Sequence, residues 1–250
     1  MRIERNGDVA LIRLENGKAN AIGPSFLDRL EALLGQLGDA RAAVITGQGS
    51  AFSAGLDLPA LVDLDRVGMR AFVLRFDAMM MRVFELPIPL VAAVNGHAVA
   101  GGCVLAMQAD VRIGADREAR IGLNETQLGI GLPASVLETL RWQVPGSSLA
   151  AIAVEGRLFS PREALQLGVL HELASDAELL PLALQRASSL AAVPPAGIRM
   201  VKESLRRPAA AAARASAVAQ ADRWLDTWFA PDSQKRLYET VSALRLNKKA

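Results

Sequence analysis

An α/β fold followed by a helical C-terminal region is the class that the sequence predicts, on three observations. Short apolar runs with β character alternate with amphipathic segments at helical spacing, roughly every 40 residues along the first two thirds of the chain. Some of these runs, such as Ala43-Val44-Ile45, are apolar at successive positions, as expected of strands covered on both faces. Beyond about residue 176 strand-like sequence stops and only helical patterns remain.

Taken in order, residues 9–15 read as a strand, and Asn16-Gly17-Lys18-Ala19-Asn20 as a turn-rich loop. A helix follows, because Pro24 is tolerated in a first turn, Phe26, Leu27, Leu30, Leu33, Leu34 and Leu37 share one face, and Gly38 ends the run. Residues 41–46 are a buried strand, and 47–58 form a loop of small residues of the kind that lets a ligand approach backbone N–H groups. Residues 59–86 read mainly as helix, with Met69, Phe72, Val73, Phe76, Met80, Val83 and Phe84 on an apolar stripe and Pro87 and Pro89 as the stop. The next buried strand is 89–94, and 95–102 turns into a helix reaching about Ala109. Short strands are expected at 110–114 and 119–122, on either side of the polar turn Ala115-Asp116-Arg117-Glu118. Residues 133–142, 147–155 and 161–167 read as helices and 169–174 as a last strand, while the alanine-rich 209–221 has strong helix propensity. The expected division is therefore 1–175 for the strand-helix units and 176–250 for the helical region.

Composition narrows the function classes. At 250 residues, 51% hydrophobic and 22% charged, the chain is long and apolar enough for a substantial core. Its 28 Lys and Arg exceed its 26 Asp and Glu by only two, which argues against a polyanion-binding field and so against nucleic acid as a partner. A lone cysteine, Cys103, excludes an internal disulfide and supplies no thiolate cluster for zinc. Strand-like sequence begins almost at Met1, leaving no room for a leader, so a cytoplasmic protein is expected. Residues 88–107 have the length and apolarity of a membrane span, but Asn95, His97 and three glycines fit a buried strand turning into a buried helix.

Three stretches carry candidate chemistry. In Ile121-Gly122-Leu123-Asn124-Glu125-Thr126-Gln127-Leu128-Gly129-Ile130 one carboxylate sits among apolar residues and glycines, where burial would raise its pKa and make it a usable base near neutrality. The loops Phe52-Ser53-Ala54-Gly55-Leu56-Asp57 and His97-Ala98-Val99-Ala100-Gly101-Gly102-Cys103 each follow a buried strand and expose backbone N–H groups through small residues. If they converge, two amides can aim at one oxygen and form an oxyanion hole, in which one donor is worth roughly 2.7 to 4 kcal/mol of transition-state stabilisation. No Gly-x-Gly-x-x-Gly or Walker pattern is present, which disfavours a nucleotide phosphate cradle.

In this order and spacing, Ala51 to Leu58, Ala93 to Cys103 and Ile121 to Glu125 resemble the enoyl-CoA hydratase/isomerase (crotonase) superfamily, over about residues 8–175. The resemblance implies a crotonase-like spiral of ββα units, C-terminal trimerisation helices, a homotrimer or hexamer, and an acyl-CoA thioester substrate. It implies no separate cofactor or metal, coenzyme A being part of the substrate. It assigns the oxyanion hole to the N–H groups of Ala54 and Gly101, the base to Glu125, the CoA-binding loop to Ser53, Gly55, Leu56 and Asp57, and a place beside the substrate to Asn124. Hydratases of the superfamily use two glutamates, and here the first of those positions is Val104. The Glu125 stretch, Ser53-Ala54-Gly55-Leu56-Asp57-Leu58 and Ala100-Gly101-Gly102-Cys103 are similar to the mitochondrial type of isomerase, which moves a 3-enoyl-CoA double bond to the 2-position with one glutamate.

Other roles stay open for several of these residues. Asp57 is equally placed to be a helix N-cap before Pro59, while His97 suits holding its turn by hydrogen bonding and Cys103 suits inert packing. A hydratase or other acyl-CoA lyase would draw its second acid from residues 59–86, for example Asp63 or Asp65. From a different class, a non-catalytic CoA or RNA binder is conceivable, although the near-neutral charge and few aromatics oppose RNA. The basic tail from Gln234 to Lys249 is either a solvated helix end or a reach toward CoA phosphates.

Overall fold

The computed structural model, which describes residues 1–17 and 19–247, begins with a hairpin. Strand β1 (Arg2–Asn6) pairs antiparallel with β2 (Val9–Arg13) at the edge of a six-stranded sheet. Its charged composition, Arg-Ile-Glu-Arg-Asn, suits an exposed edge and hides it from any search for apolar runs. The sheet continues through β3 (Ala42–Thr46), β5 (Leu90–Val94), β7 (Val111–Ala115) and β10 (Glu172–Ala174), every pairing beyond the hairpin being parallel.

Period-two alternation divides these strands between two apolar clusters. Val9, Leu11, Val44, Val91, Ala93 and Ile113 face Leu179, Ala183, Ala187 and Ala191 of helix α7 (Asp176–Ala192), whose alanines allow close approach. Ala10, Ile12, Ala43, Ile45, Leu90, Ala92 and Val94 belong to the larger cluster, with α1 (Pro24–Gly35) and α3 (Arg66–Phe84). The successive apolar residues of β3 and β5 thus serve two cores.

A second sheet of short strands builds the site. β4 (Ala51–Ser53) and β6 (His97–Val99) lie parallel, as do β6 and β8 (Ile121–Gly122), and β9 (Leu158–Phe159) closes the order β4-β6-β8-β9. Strand β3 passes to β4 and then to α2 (Leu58–Leu61) and α3, and β5 passes to β6 and α4 (Gly101–Met107). β7 passes to β8 and then to a 3₁₀ turn, Glu125–Leu128. This is the ββα spiral of the crotonase fold.

The strands expected at 110–114 and 119–122 are present as β7 and β8, β7 joining the large sheet beside β5 and β8 the small one beside β6. Other sequence expectations need correction. Residues 59–86 hold two helices, since Asp65 accepts the Gly68 N–H at 2.7 Å and restarts the chain as α3. Residues 147–155 form a 3₁₀ turn ending at Ser148 and a π-helical turn, Ala150–Val154. Helices α5 (Ala134–Gln143) and α6 (Pro161–Gln166) match their expected positions. Residues 88–107 form β5, β6 and α4, and among the described residues no helix is long and apolar enough to cross a membrane.

Beyond residue 175 the chain is helical, as expected: α7, α8 (Pro195–Trp228) and α9 (Pro231–Asn247). Ala221, Trp224, Leu225 and Trp228 of α8, with Leu237 and Val241 of α9, are part of the larger core cluster. Asp110 anchors α8 by accepting from Lys202 at 2.7 Å and Arg206 at 2.6 Å, both cations being buried.

Candidate active site

The two small-residue loops do converge. Gly55 has φ +87°, and a Cβ there would stand 2.7 Å from the Val99 carbonyl oxygen and 2.8 Å from the Ala100 Cβ. Only glycine permits that approach. Ala100 itself is held at φ +50°, a conformation worth about 1–3 kcal/mol of strain for a non-glycine residue. Both its polar groups are used: its N–H donates to the Gly122 carbonyl at 2.8 Å, and its carbonyl accepts from the Val104 N–H at 3.0 Å. The next residue, Gly101, opens α4.

Between the loops lies a cavity of about 620 Å³. Ala54, Leu56, Asp57, Val99, Ala100 and Gly101 line it from the loops, Val104 from α4, and Asn124 and Glu125 from the entry to the 3₁₀ turn. Its apolar walls are Phe72, Val73 and Phe76 of α3, Leu128 and Ile130, Pro133 and Val136 at the start of α5, and Trp224 and Trp228 of α8. Thr240 and Leu244 add a contribution from α9, and Asn16, Gly17, Ala19 and Ala21 one from the first loop.

Glu125 is the group whose ionisation this setting alters most usefully. Burial pushes its carboxyl up to about 7, opposed only by a hydrogen bond from its own backbone N–H. Oε2 has no hydrogen-bond partner among the described residues. A carboxyl half ionised near neutrality, with a free lone pair, can take up a proton and return it.

The geometry corrects the expected oxyanion hole. The Ala54 N–H donates to the Ala19 carbonyl at 2.9 Å, so it is already committed. The Leu56 N–H has no acceptor among the described residues, although both its neighbours are engaged: Gly55 donates to Ser53 Oγ at 3.2 Å and Asp57 to the Ile22 carbonyl at 3.0 Å. Gly101, first in its helix, likewise finds no acceptor among the described residues, as expected of an N-terminal amide. Leu56 and Gly101 both line the cavity and supply the free pair.

Other expected roles are also redistributed. Ser53 is fully buried, donates its hydroxyl to the Asn20 carbonyl at 2.8 Å and does not line the cavity, so it braces the loop. Gly55 does not line the cavity either; its part is the close approach. Asp57 lines the cavity and stands at the N-cap of α2 without a capping side-chain hydrogen bond. His97 Nδ1 accepts the Arg120 N–H at 3.1 Å, holding its turn. Cys103 is wholly buried and its thiol is pushed up to about 12 by desolvation, with the Glu125 charge adding to it. Neither Asp63 nor Asp65 lines the cavity, Asp65 being the cap of α3. Lys248 and Lys249 of the basic tail lie outside the described residues.

The wall from the C-terminal helices was not anticipated. Trp224 and Trp228, stacked with centroids 5.1 Å apart, are four positions apart in a chain with three tryptophans, a spacing that sets both on one helix face. That spacing was the available signal.

Comparison with known proteins agrees with this architecture. The profile of the enoyl-CoA hydratase/isomerase family matches residues 4–243. Human mitochondrial enoyl-CoA delta isomerase 1 is 32% identical over 208 residues, 81% of this chain and 68% of that protein. A short-chain-enoyl-CoA hydratase of Clostridium acetobutylicum is 28% identical over 210 residues, 82% of this chain and 80% of that protein. The crystal structure of human mitochondrial delta3-delta2-enoyl-CoA isomerase superposes with a TM-score of 0.92 at 28% identity, covering 99% of this chain and 98% of that one.

Proposed function

Because the chain belongs to the enoyl-CoA hydratase/isomerase family, we propose that within it the protein is an isomerase that shifts the double bond of a 3-enoyl-CoA into conjugation with the thioester. The observation that carries this reading is the pairing of one glutamate whose Oε2 is buried with an apolar residue at the family's other glutamate position: Glu125 lines the cavity together with Val104, which is 2% exposed. Hydration needs a water held between two polar groups, and the valine offers none.

In the proposed reaction the thioester oxygen accepts from the Leu56 and Gly101 N–H groups. Their hydrogen bonds stabilise the negative charge that develops when a proton leaves carbon 2. Ionised Glu125 takes that proton, and the C–H electron pair enters the dienolate. The protonated carboxyl then returns the proton to carbon 4, the double bond settles between carbons 2 and 3, and Glu125 is again ionised. No water or net proton is consumed. The apolar walls exclude water that would otherwise compete for the dienolate.

The test is spectroscopic. A 3-enoyl-CoA incubated with the protein is expected to gain the ultraviolet absorbance of the conjugated thioester, and Glu125→Gln to lose nearly all of that activity. A Gln variant as active as the parent would sink the mechanism. The second reading, hydration of a 2-enoyl-CoA, draws on the Clostridium hydratase and on the cavity carboxylate of Asp57. It is favoured instead if the parent hydrates a 2-enoyl-CoA faster than it isomerises any 3-enoyl-CoA.

A further inference from the structure

The 3₁₀ turn that carries Glu125 is gripped from the far end of the chain. Its closing hydrogen bond runs from the Ile130 N–H to the Glu125 carbonyl at 3.0 Å. On one side of Ile130, the Gly129 carbonyl accepts from Ser233 Oγ of α9 at 3.0 Å, and Ser233 is 2% exposed. On the other side, the Gly131 N–H donates to Thr227 Oγ1 of α8 at 2.9 Å, and that hydroxyl donates onward to the Trp224 carbonyl at 2.7 Å. One residue further, the Leu132 carbonyl accepts from Gln220 Nε2 at 2.9 Å. Gly129 fits this grip closely: at φ +79° it carries no Cβ, and one there would stand 2.5 Å from Ser233 Oγ.

We infer that Thr227 and Ser233 are positioning residues for Glu125, forming a clamp through which the C-terminal helices fix the catalytic carboxyl without touching substrate. The inference rests on the enoyl-CoA reading for what the carboxyl does, but not for where it is held. The Gly129 and Leu132 carbonyls and the Gly131 N–H take no part in the bonds that run from Gln127, Gly129 and Ile130 to the Asn124, Thr126 and Glu125 carbonyls, so those bonds do not fix them. Loss of a clamp bond lets the turn drift, and small displacements of a base from its carbon are costly in rate. It also admits water to a carboxyl that has no compensating cation beside it among the described residues. The other titratable groups nearby are Cys103 of α4 and Asp57 at the start of α2, with Arg236 of α9 reaching only the Gln127 carbonyl, at 3.4 Å.

The test compares Thr227→Val, Thr227→Ser and Ser233→Ala in the full-length protein. Thr227→Val is expected to lower kcat on a 3-enoyl-CoA by between about tenfold and a hundredfold while KM changes far less. Thr227→Ser, which keeps the hydroxyl, is expected to recover most of that loss. The ionisation midpoint of Glu125, followed by infrared titration of the carboxyl stretch and assigned by difference from Glu125→Gln, is expected to fall in Thr227→Val and in Ser233→Ala. A lower melting temperature with kcat and midpoint both unchanged would reduce these residues to stabilisers of the fold and overturn the clamp. Ser233→Ala decides the matter if Thr227→Val does not fold. If the parent turns over no enoyl-CoA, the functional reading fails, while the infrared midpoints still decide the clamp.

Discussion

Glu125 couples chemistry and stability through one equilibrium. In the proposed reaction it acts ionised, so kcat/KM is expected to rise with pH through a midpoint of about 7 and then level off, as a pH–rate profile measures. Stability has the opposite sign. The folded carboxyl is raised from an ordinary value of 4.5 to about 7, so between these values the folded state binds more protons than the unfolded one. The stabilisation is full below about pH 4.5 and is lost as pH rises through 7. In the Gln variant that alkaline loss is expected to disappear from denaturation curves. Val104 is the complementary residue: Val104→Glu is expected to raise hydration of a 2-enoyl-CoA above the parent's level, assayed by loss of the conjugated absorbance. No gain would count against the account of the missing acid. The places of Glu125 and Gly101 in the cavity were legible in the sequence because their motifs are local, whereas which amide of the first loop is left free was not. Which amide is free depends on the Ala19 carbonyl, and that contact exists only after the first loop has folded over the second.

At the scale of elements, legibility followed burial. β3 and β5 were readable because both faces are covered, and α1 because its buried Phe26, Leu27, Leu30, Leu33 and Leu34 repeat at helical spacing. β1 escaped because an edge strand is half solvated, and β4 and β9 because two or three residues show no period. The β4–β6 pairing brings the two small-residue loops together, setting the Ser53 end of one loop beside Ala98 of the other. The 3₁₀ turn is similar. Its four residues include Glu125, yet the segment that follows it is bonded to partners about a hundred residues away along the chain, in α8 and α9.

Across the whole molecule, the helical region beyond residue 175 was expected as a unit of assembly, and it also forms a wall of the cavity through Trp224, Trp228, Thr240 and Leu244. We propose that this region also assembles the protein, because Met200, Val201 and Leu205 of α8 are at least half exposed, an apolar row that a second copy would cover. Light scattering in solution is expected to give three or six times the 26.6 kDa of one chain, and a monomer would remove the proposal. The sealed position of Cys103 has a practical consequence. The folded chain offers no reactive sulfhydryl, because its only one is 0% exposed and held as the neutral thiol. A cysteine introduced at an exposed position such as Val67 would be the single attachment point for a fluorescent dye, and labelling at Cys103 would report the fraction of molecules that have opened.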